Sequence, residues 1–223
     1  MYFDAADEIK KILIQNGVEE PNQTDLSDAI DHGELVAMIV TTLSDELGYE
    51  EQLRELLYNA ALLHDIGKLK LSAKVYGRDS ELLKVEEERY MRMHADLGAD
   101  MLEKSGYDRA IIEAVRHHHE CYDGTGYPNN LQGLNIPFAA RFIMVCDVFA
   151  ALISDRPYRK AFSKEEALEM MIADYKNMDM RLFLSFLTVY NSDKINEIME
   201  FATKINEKHS YKEFWEKTEN KKS

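Results

Sequence analysis

Apolar residues recur every three or four positions through most of this sequence, and few helix-breaking residues interrupt them. Leu35, Ile39 and Leu43, for example, fall on one face of a helix, as the period of about 3.6 residues per turn requires. Only four prolines and ten glycines occur in 223 residues, so signals for strands and turns are scarce. The sequence therefore predicts an all-α fold with little or no sheet.

Capping residues and helix breakers locate the ends of the predicted helices. Asp108 is a predicted N-cap, and Ser163 with Glu166 forms a predicted capping box. Gly67 is predicted to end a helix, and the segment DGTGYP at residues 123–128 excludes regular structure. Helices are predicted over residues 3–16, 24–47, 50–64, 137–153, 182–190 and 195–205.

Charge and cysteine content limit the classes of function. A formal net charge of −14 argues against a protein that coats long nucleic acid, because such binding depends on Lys and Arg. Two cysteines are too few for a disulfide framework, and the chain begins without a basic and then apolar leader. The most apolar stretch, residues 137–153, is interrupted by Arg141 and Asp147. We therefore expect a cytoplasmic protein that does not span a membrane.

Six of the seven histidines lie at or beside apolar helical faces, and only His209 lies in a polar tail. A single histidine on such a face is more often a hydrogen-bonded core residue than a ligand. Several imidazoles together with carboxylates, however, are the ligands that divalent transition metals prefer. The adjacent pair His64 and Asp65 would let one carboxylate bridge two ions. The set therefore predicts a metal site.

Two further features point to the same chemistry. His118 and His119 would point about 100° apart on a regular helix, so both reach one site only if the helix ends there, as DGTGYP implies. Asp147 lies in an apolar segment, where an isolated ionised carboxylate is unfavourable. A metal ion would compensate its charge. The alternative for Asp147 is a buried cap or salt-bridge partner.

Three motifs resemble those of the HD-GYP phosphodiesterases. They are LLHDIGK at residues 62–68, HHECYDGTGYP at residues 118–128 and CDVFAALISDRPYR at residues 146–159. The resemblance covers about residues 24–190 and implies an all-α fold of the HD superfamily. It also implies a metal-dependent enzyme that hydrolyses cyclic dinucleotides, above all cyclic di-GMP, to the linear dinucleotide and in some members on to GMP. A metal-bridging hydroxide would attack phosphorus.

The resemblance assigns roles to individual residues. Asp65 and Lys68 are the expected catalytic residues, and Lys68 contacts the scissile phosphate. A third ion would use Asp28, which stands four residues before His32 in place of a longer glutamate. The cofactors implied are two divalent ions, iron or manganese, with a third as an option. The expected substrate contacts are Lys68, Tyr127, Arg156 and Arg159, and the expected metal ligands are His32, His64, Asp65, His94, His118, His119 and Asp147.

The sequence also departs from the family pattern. Ala150 replaces a second family aspartate, a Lys-Pro-Gly segment is absent from residues 69–93, and His117 is additional. We expect His117 to face solvent or a residue outside the ligand set. Two alternative functions remain: an HD-type phosphohydrolase that acts on another nucleotide, and a cyclic dinucleotide sensor that does not hydrolyse.

The resemblance also suggests how the chain is divided. Residues 1–23 form an N-terminal helix and linker, residues 24–190 the HD-GYP catalytic domain, and residues 191–223 a C-terminal helix and polar tail that packs on or trails it. No receiver or sensor domain is expected in the short N-terminal stretch. Regulation is therefore expected from a homodimer or from a separate regulatory protein.

Overall fold

A computed structural model of the protein describes residues 5–18, 21–75, 91–156 and 159–208, with the side chains of residues 72–75 left out. The described chain forms α-helices and two short 3-10 turns, and its one sheet-like pairing is a bridge between Arg156 and Arg159. The all-α prediction is confirmed. The helices are α1 (Ala5–Gln15), α2 (Gln23–Glu46), α3 (Glu51–Leu63), α4 (Ile66–Val75), α5 (His94–Lys104), α6 (Arg109–His117), α7 (Phe138–Leu152), α8 (Lys164–Ala173), α9 (Met180–Tyr190) and α10 (Lys194–Lys208).

Side-chain caps fix several helix starts where the sequence predicts them. The Asp108 carboxylate accepts a hydrogen bond of 2.7 Å from the backbone N–H of Ala110. Ser163 and Glu166 form a reciprocal capping box at the start of α8, which satisfies backbone donors that a helix leaves unpaired. Both predicted caps are confirmed.

Helices α2 and α7 form the centre of the packing. Helix α2 contacts α3, α4, α7, α9 and α10, while α7 contacts α2, α3, α6, α8 and α9. Phe142 and Phe149 of α7 are fully buried, as is Phe186 of α9. Because α2 and α7 run through the core, polar side chains on their inner faces lie inside the protein. No helix in the described residues is long and apolar enough to cross a membrane.

Gly67 does not end a helix, so that prediction is wrong. The chain turns at residues 64–65, and α4 begins at Ile66 with Gly67 in its first turn. A Cβ atom on Gly67 would lie 2.0 Å from the carbonyl oxygen of His94 and 2.7 Å from the backbone nitrogen of Gly98. The glycine is therefore required by the close approach of α4 and α5, and not by a turn.

Gly33 permits a second close approach. A Cβ atom at this position would lie 2.5 Å from the carbonyl oxygen of Leu62, which belongs to α3. Gly33 follows His32 on α2, and Leu62 lies two residues before His64. The contact therefore brings these two histidine-bearing segments together. The proposed division of the chain at residues 23 and 190 stays a prediction, although α10 packs against α2 and α9.

The α4–α5 crossing can be tested with two matched substitutions. Alanine has the higher intrinsic helix propensity by up to about 1 kcal/mol at either glycine. A Cβ on Gly67 would lie 2.0 Å from rigid backbone. On Gly98 it would lie 3.2 Å from the Val115 side chain and 3.3 Å from the backbone nitrogen of Gly67, so only small shifts would be needed. We expect Gly67→Ala to lower the free energy of unfolding by about 2 kcal/mol or more. Gly98→Ala should change it by less than about 1 kcal/mol. Urea denaturation followed by circular dichroism measures both, and equal values would contradict the close crossing.

Candidate metal centre

The structure brings the seven expected metal ligands into two adjacent groups. The four-residue group has one potential ligand atom from each member, all within 4.8 Å of one another, and the three-residue group meets the same criterion. The three-residue group has members from α2, the α3–α4 turn and α7. The four-residue group has members from the α3–α4 turn, α5 and the end of α6. The four-residue group is Asp65, His94, His118 and His119, and the three-residue group is His32, His64 and Asp147.

The carboxylate of Asp65 lies between the two groups. Its Oδ1 atom is 3.2 Å from Nε2 of His94 and 3.8 Å from Nε2 of His118. Its Oδ2 atom is 3.4 Å from Nε2 of His64 and 3.9 Å from Nε2 of His32. One oxygen therefore faces each group, which is the arrangement that a bridging ligand requires. The position of Asp65 at the α3–α4 turn allows it to face both sides.

Backbone hydrogen bonds set the orientation of three histidine rings. The Nδ1 atoms of His64, His94 and His118 each contact the carbonyl oxygen three residues earlier, at 2.7 Å for His64 and 2.6 Å for His118. A carbonyl oxygen can only accept, so Nδ1 carries the proton in each neutral ring. The lone pair is then on Nε2, which points into the cluster. Such bonds commonly orient metal-binding histidines.

The arrangement of polar atoms fits a bound cation. Nε2 of His94 lies 3.3 Å from Nε2 of His118 and 3.1 Å from Nε2 of His119. Because Nδ1 carries the proton in neutral His94 and His118, the lone pairs on their two Nε2 atoms face each other with no proton between them. Nε2 of His64 and Oδ1 of Asp65 are buried without a hydrogen-bond partner, which is rare in proteins. Imidazole nitrogens and carboxylate oxygens suit divalent transition metals, so these residues fit the expected cofactor.

The electrostatics of the site also favour positive charge. Burial alone would raise the pKa of the Asp65 and Asp147 carboxyls. Positive charge on Lys68 and His64, however, holds the pKa of Asp65 well below its usual range. The charge on His64 does the same for Asp147. Burial alone would lower the pKa of His64, but the two carboxylates raise it to about 10. Burial lowers the pKa of His118 to about 4. Both carboxylates are thus held ionised inside the protein, where a divalent ion can replace the proton on His64.

Asp147 contacts two histidines of the three-residue group. Its Oδ1 atom lies 2.9 Å from Nε2 of His32 and 3.6 Å from Nε2 of His64. The predicted inward position on α7 is confirmed. Asp28, the predicted ligand for a third ion, belongs to neither group among the described residues. Its role stays a prediction.

The end of α6 explains why adjacent histidines share one group. Helix α6 ends at His117, and His118 and His119 occupy the following turn with ring centroids 4.0 Å apart. The predicted helix end is confirmed. His117 is buried, with its ring nitrogens 3.4 Å from a Glu113 carboxylate oxygen and 3.6 Å from one of Glu120. It therefore contacts residues outside the ligand groups and does not face solvent.

Glu120 fixes the loop that follows the histidines, and sequence reasoning missed it. Its carboxylate is 1% exposed and accepts hydrogen bonds from the backbone N–H groups of Asn129 at 2.7 Å and Leu131 at 2.9 Å. A buried carboxylate usually needs such partners. The available signal was an acidic residue directly after three histidines and before a glycine-rich loop. Glu120 thus anchors the far side of the DGTGYP segment.

Gly126 and Tyr127 place this loop against the four-residue group. A Cβ atom on Gly126 would lie 2.2 Å from the backbone nitrogen of Cys121, so only glycine fits. The N–H of Tyr127 donates to the carbonyl oxygen of His119 at 3.1 Å, and the two rings lie 4.8 Å apart at 31°. Arg92, which sequence reasoning did not single out, has its guanidinium 5.2 Å from the Tyr127 ring centroid. The aromatic ring of Tyr127 therefore borders the metal ligands.

The three predicted basic contacts have different surroundings. Lys68 Nζ lies 2.5 Å from Oδ2 of Asp65, and its side chain is 36% exposed. Burial lowers the pKa of His32, Asp147 opposes this, and the charge of Arg156 adds a smaller lowering. The backbone of Arg156 pairs with that of Arg159 in the turn after α7. Arg159 instead donates to backbone carbonyls at the end of α7, including that of Ala151 at 2.7 Å. The dinucleotide contact predicted for Arg159 stays a prediction.

Comparison with known proteins agrees with this geometry. A family model described as HD domain matches residues 17–182, which is more than half of the chain. The chain belongs to the HD domain family. HD domain hydrolases bind divalent metals, and the cluster found in this HD domain fits such ions.

Curated relatives include several phosphodiesterases. The chain is 36% identical over 145 residues to the "Cyclic di-GMP phosphodiesterase response regulator RpfG" of Xanthomonas campestris, covering 63% of this chain and 37% of that protein. It is 32% identical over 162 residues to "3'3'-cGAMP-specific phosphodiesterase 1" of Vibrio cholerae, covering 72% and 36%. The HD domain chain thus spans little more than a third of the length of these relatives.

Solved structures share the fold of this HD domain. An HDG"Y"P protein from Bdellovibrio bacteriovorus aligns with a TM-score of 0.60 at 21% identity, covering 84% of this chain and 61% of that one. The HD domain of the phosphodiesterase PgpH from L. monocytogenes, in complex with cyclic-di-AMP, aligns with a TM-score of 0.52 at 16% identity, covering 91% and 97%. At these identities the likeness shows the fold alone.

Metal binding can be tested with one substitution inside the candidate ligand groups and one at a nearby histidine outside them. Asp65→Asn removes the carboxylate that faces both groups, so we expect it to lose most bound metal after anaerobic purification. His117→Gln changes the adjacent histidine that lies outside both groups, and we expect it to keep the wild-type metal content. Elemental analysis of the purified proteins measures both. Full metal content in Asp65→Asn, with normal folding by circular dichroism, would contradict the bridging role.

Proposed function

We propose that this HD domain is a metal-dependent phosphodiesterase that hydrolyses a cyclic dinucleotide, with cyclic di-GMP as the first substrate to test. The observation that carries the proposal is the Asp65 carboxylate, which faces both ligand groups and lies beside Lys68. The phosphodiesterase names of the relatives support the same reaction class. The expected product is the linear dinucleotide, with further cleavage to GMP as a second step.

We further propose that the two groups hold two divalent ions, with iron or manganese as the favoured metals. When bound, the ions supply Lewis-acid stabilisation of the phosphate and activate water for attack. The residues themselves keep the ligand atoms fixed: backbone carbonyls hold the rings of His64, His94 and His118 with Nε2 inward. Such preorganisation avoids rearrangement of the ligands during the reaction.

Lys68 is the proposed phosphate contact of the protein. Its ammonium group is next to Asp65, yet a third of the side chain is exposed, so it can reach a substrate at the open side of the cluster. A lysine at this position stabilises negative charge that develops on the phosphate oxygens. Unlike the metal ligands, it is not needed to assemble the site.

Tyr127 and Arg156 are the proposed substrate-binding residues. Burial raises the pKa of the Tyr127 phenol, so the phenol stays neutral near the carboxylates. Its ring, held beside His119, offers a surface on which a purine can stack. Arg156, in the turn that follows α7, supplies a guanidinium that can pair with a phosphate. Together these residues favour a purine dinucleotide over a simple phosphomonoester.

The two alternative functions have less support. A sensor that does not hydrolyse would not need seven candidate metal ligands with a lysine beside them, and the proximity of these side chains supports the enzyme. The names of the curated relatives, which act on cyclic dinucleotides, favour such a substrate over another nucleotide. The Lys-Pro-Gly departure falls within residues 69–93, of which residues 76–90 lie outside the described chain. The cytoplasmic location and regulation by a homodimer or a separate protein stay predictions.

Activity separates the proposed function from its alternatives. Anaerobically purified, metal-loaded protein is incubated with cyclic di-GMP, and the products are resolved by chromatography. We expect Lys68→Met to retain wild-type metal content but to lower kcat by roughly 100-fold or more, as loss of one transition-state donor does elsewhere. Lys70→Met, on the same helix, serves as the matched control and should keep wild-type activity.

Two results would contradict this proposal. Intact cyclic di-GMP after incubation with metal-loaded wild-type protein would favour another nucleotide or a sensor. Full activity of Lys68→Met would remove this lysine from the proposed mechanism.

A further inference from the structure

The C-terminal helix α10 lies outside the segment that matches the HD domain model, which ends at residue 182. Even so, the last two turns of α10 contact two segments beside the metal ligands. Asn206 contacts the turn that carries Arg156, and Lys208 contacts α2 next to His32. Neither residue belongs to the motifs that point to the function.

Both the oxygen and the nitrogen of the Asn206 side-chain amide form hydrogen bonds with the backbone of residues 153–155. Its Oδ1 atom accepts a hydrogen bond of 2.8 Å from the N–H of Asp155, and its Nδ2 donates one of 3.1 Å to the carbonyl oxygen of Ile153. These bonds join residues 51 and 53 positions apart in sequence. They fix the backbone immediately before Arg156.

The turn that follows is closed by its own backbone and side chains. The N–H of Arg156 donates to the carbonyl oxygen of Arg159 at 2.8 Å, and the reverse bond is 3.1 Å. The Asp155 carboxylate accepts from the N–H of Ala161 at 2.7 Å. Arg159 donates to carbonyls at the end of α7. The turn is thus held by hydrogen bonds among its own residues, and Asn206 connects it to α10.

Lys208 makes the second contact of the α10 end. Its Nζ lies 2.7 Å and 3.0 Å from the two carboxylate oxygens of Asp31, the residue before His32. Half of the Lys208 side chain is exposed, so this pair alone contributes little stability. Its position nevertheless shows that one helix end touches both the Arg156 turn and the ligand-bearing part of α2.

We propose that Asn206 is a positioning residue that holds the Arg156 turn in the conformation that presents Arg156 to the substrate. The inference rests on the proposed function, because Arg156 is assigned there to the dinucleotide. A charged side chain on a loose turn would have to be ordered when the substrate binds, and this lowers affinity. Two hydrogen bonds from a packed helix remove much of that freedom before binding. Asn206 therefore acts through Arg156 and does not touch the substrate.

The first arm of the test needs no substrate. Amide hydrogen exchange is measured by mass spectrometry on peptides covering residues 150–161 of the metal-loaded protein. We expect Asn206→Ala to speed exchange at Asp155, and Asn206→Asp, which keeps an acceptor for that N–H, to speed it less. Thr203→Ala is the control on the same helix, because the Thr203 hydroxyl donates to the carbonyl oxygen of Met199 within α10. It should leave exchange unchanged.

The second arm measures cyclic di-GMP hydrolysis. We expect Asn206→Ala to raise KM roughly fivefold to thirtyfold, the range for one or two lost hydrogen bonds, with kcat within about twofold. In an Arg156→Ala background the same substitution should change KM by less than about twofold, since residues that act through one another are not additive. A purely structural role would lower stability without this dependence on Arg156.

The outcomes are distinct. Unchanged exchange in Asn206→Ala would overturn the inference, and so would a KM increase that is equally large when Arg156 is already alanine. Faster exchange together with an Arg156-dependent rise in KM supports it. If the wild-type protein leaves cyclic di-GMP intact, the proposed function fails, and the exchange arm alone then decides whether Asn206 holds the turn.

Discussion

Two carboxylates, buried Asp65 and largely buried Asp147, require positive charge inside a helical bundle. Neither could stay ionised in an apolar core without compensation, and both are held ionised by their neighbours. The structure meets this requirement with imidazoles whose free nitrogens point inward. That arrangement is stable only with a proton or a metal ion among the ligands. The candidate metal centre is therefore part of the core of the fold.

The ligands can meet only because their helices approach closely. Gly67 allows α4 to contact the backbone of α5 near His94, and Gly33 allows α2 to contact α3 near His64. Each glycine stands within two residues of a ligand in the sequence. A larger residue at either position would move whole helices, since protein interiors transmit such strain. The precision of the site thus depends on main-chain contacts as well as on the ligands themselves.

Sequence reasoning located most helices and all seven residues of the two groups, because apolar periodicity and motif spacing are local features. It failed where a residue's role depends on a distant partner. Gly67 was taken as a helix end, since its contact with α5 is invisible in the sequence. Glu120 and Asn206 were missed because the backbone groups that they bind come from folded loops. The contact of the Arg159 guanidinium with the carbonyl oxygen of Ala151 was likewise not foreseen, and its predicted role in substrate binding stays a prediction.

The acidic character of the chain bears on how a phosphate substrate can bind. A net charge of −14 repels anions, but charges beyond a Debye length of about 8 Å are largely screened at physiological salt. What remains is the local field of the ionised carboxylates of Asp65 and Asp147, of Lys68 beside Asp65, and of Arg156. The two carboxylates offset two positive charges, and the pKa of His64, about 10, adds a third positive charge that a bound divalent ion would replace. Phosphate affinity should therefore depend on filling the ligand groups first, so that metal loading and substrate binding are thermodynamically coupled.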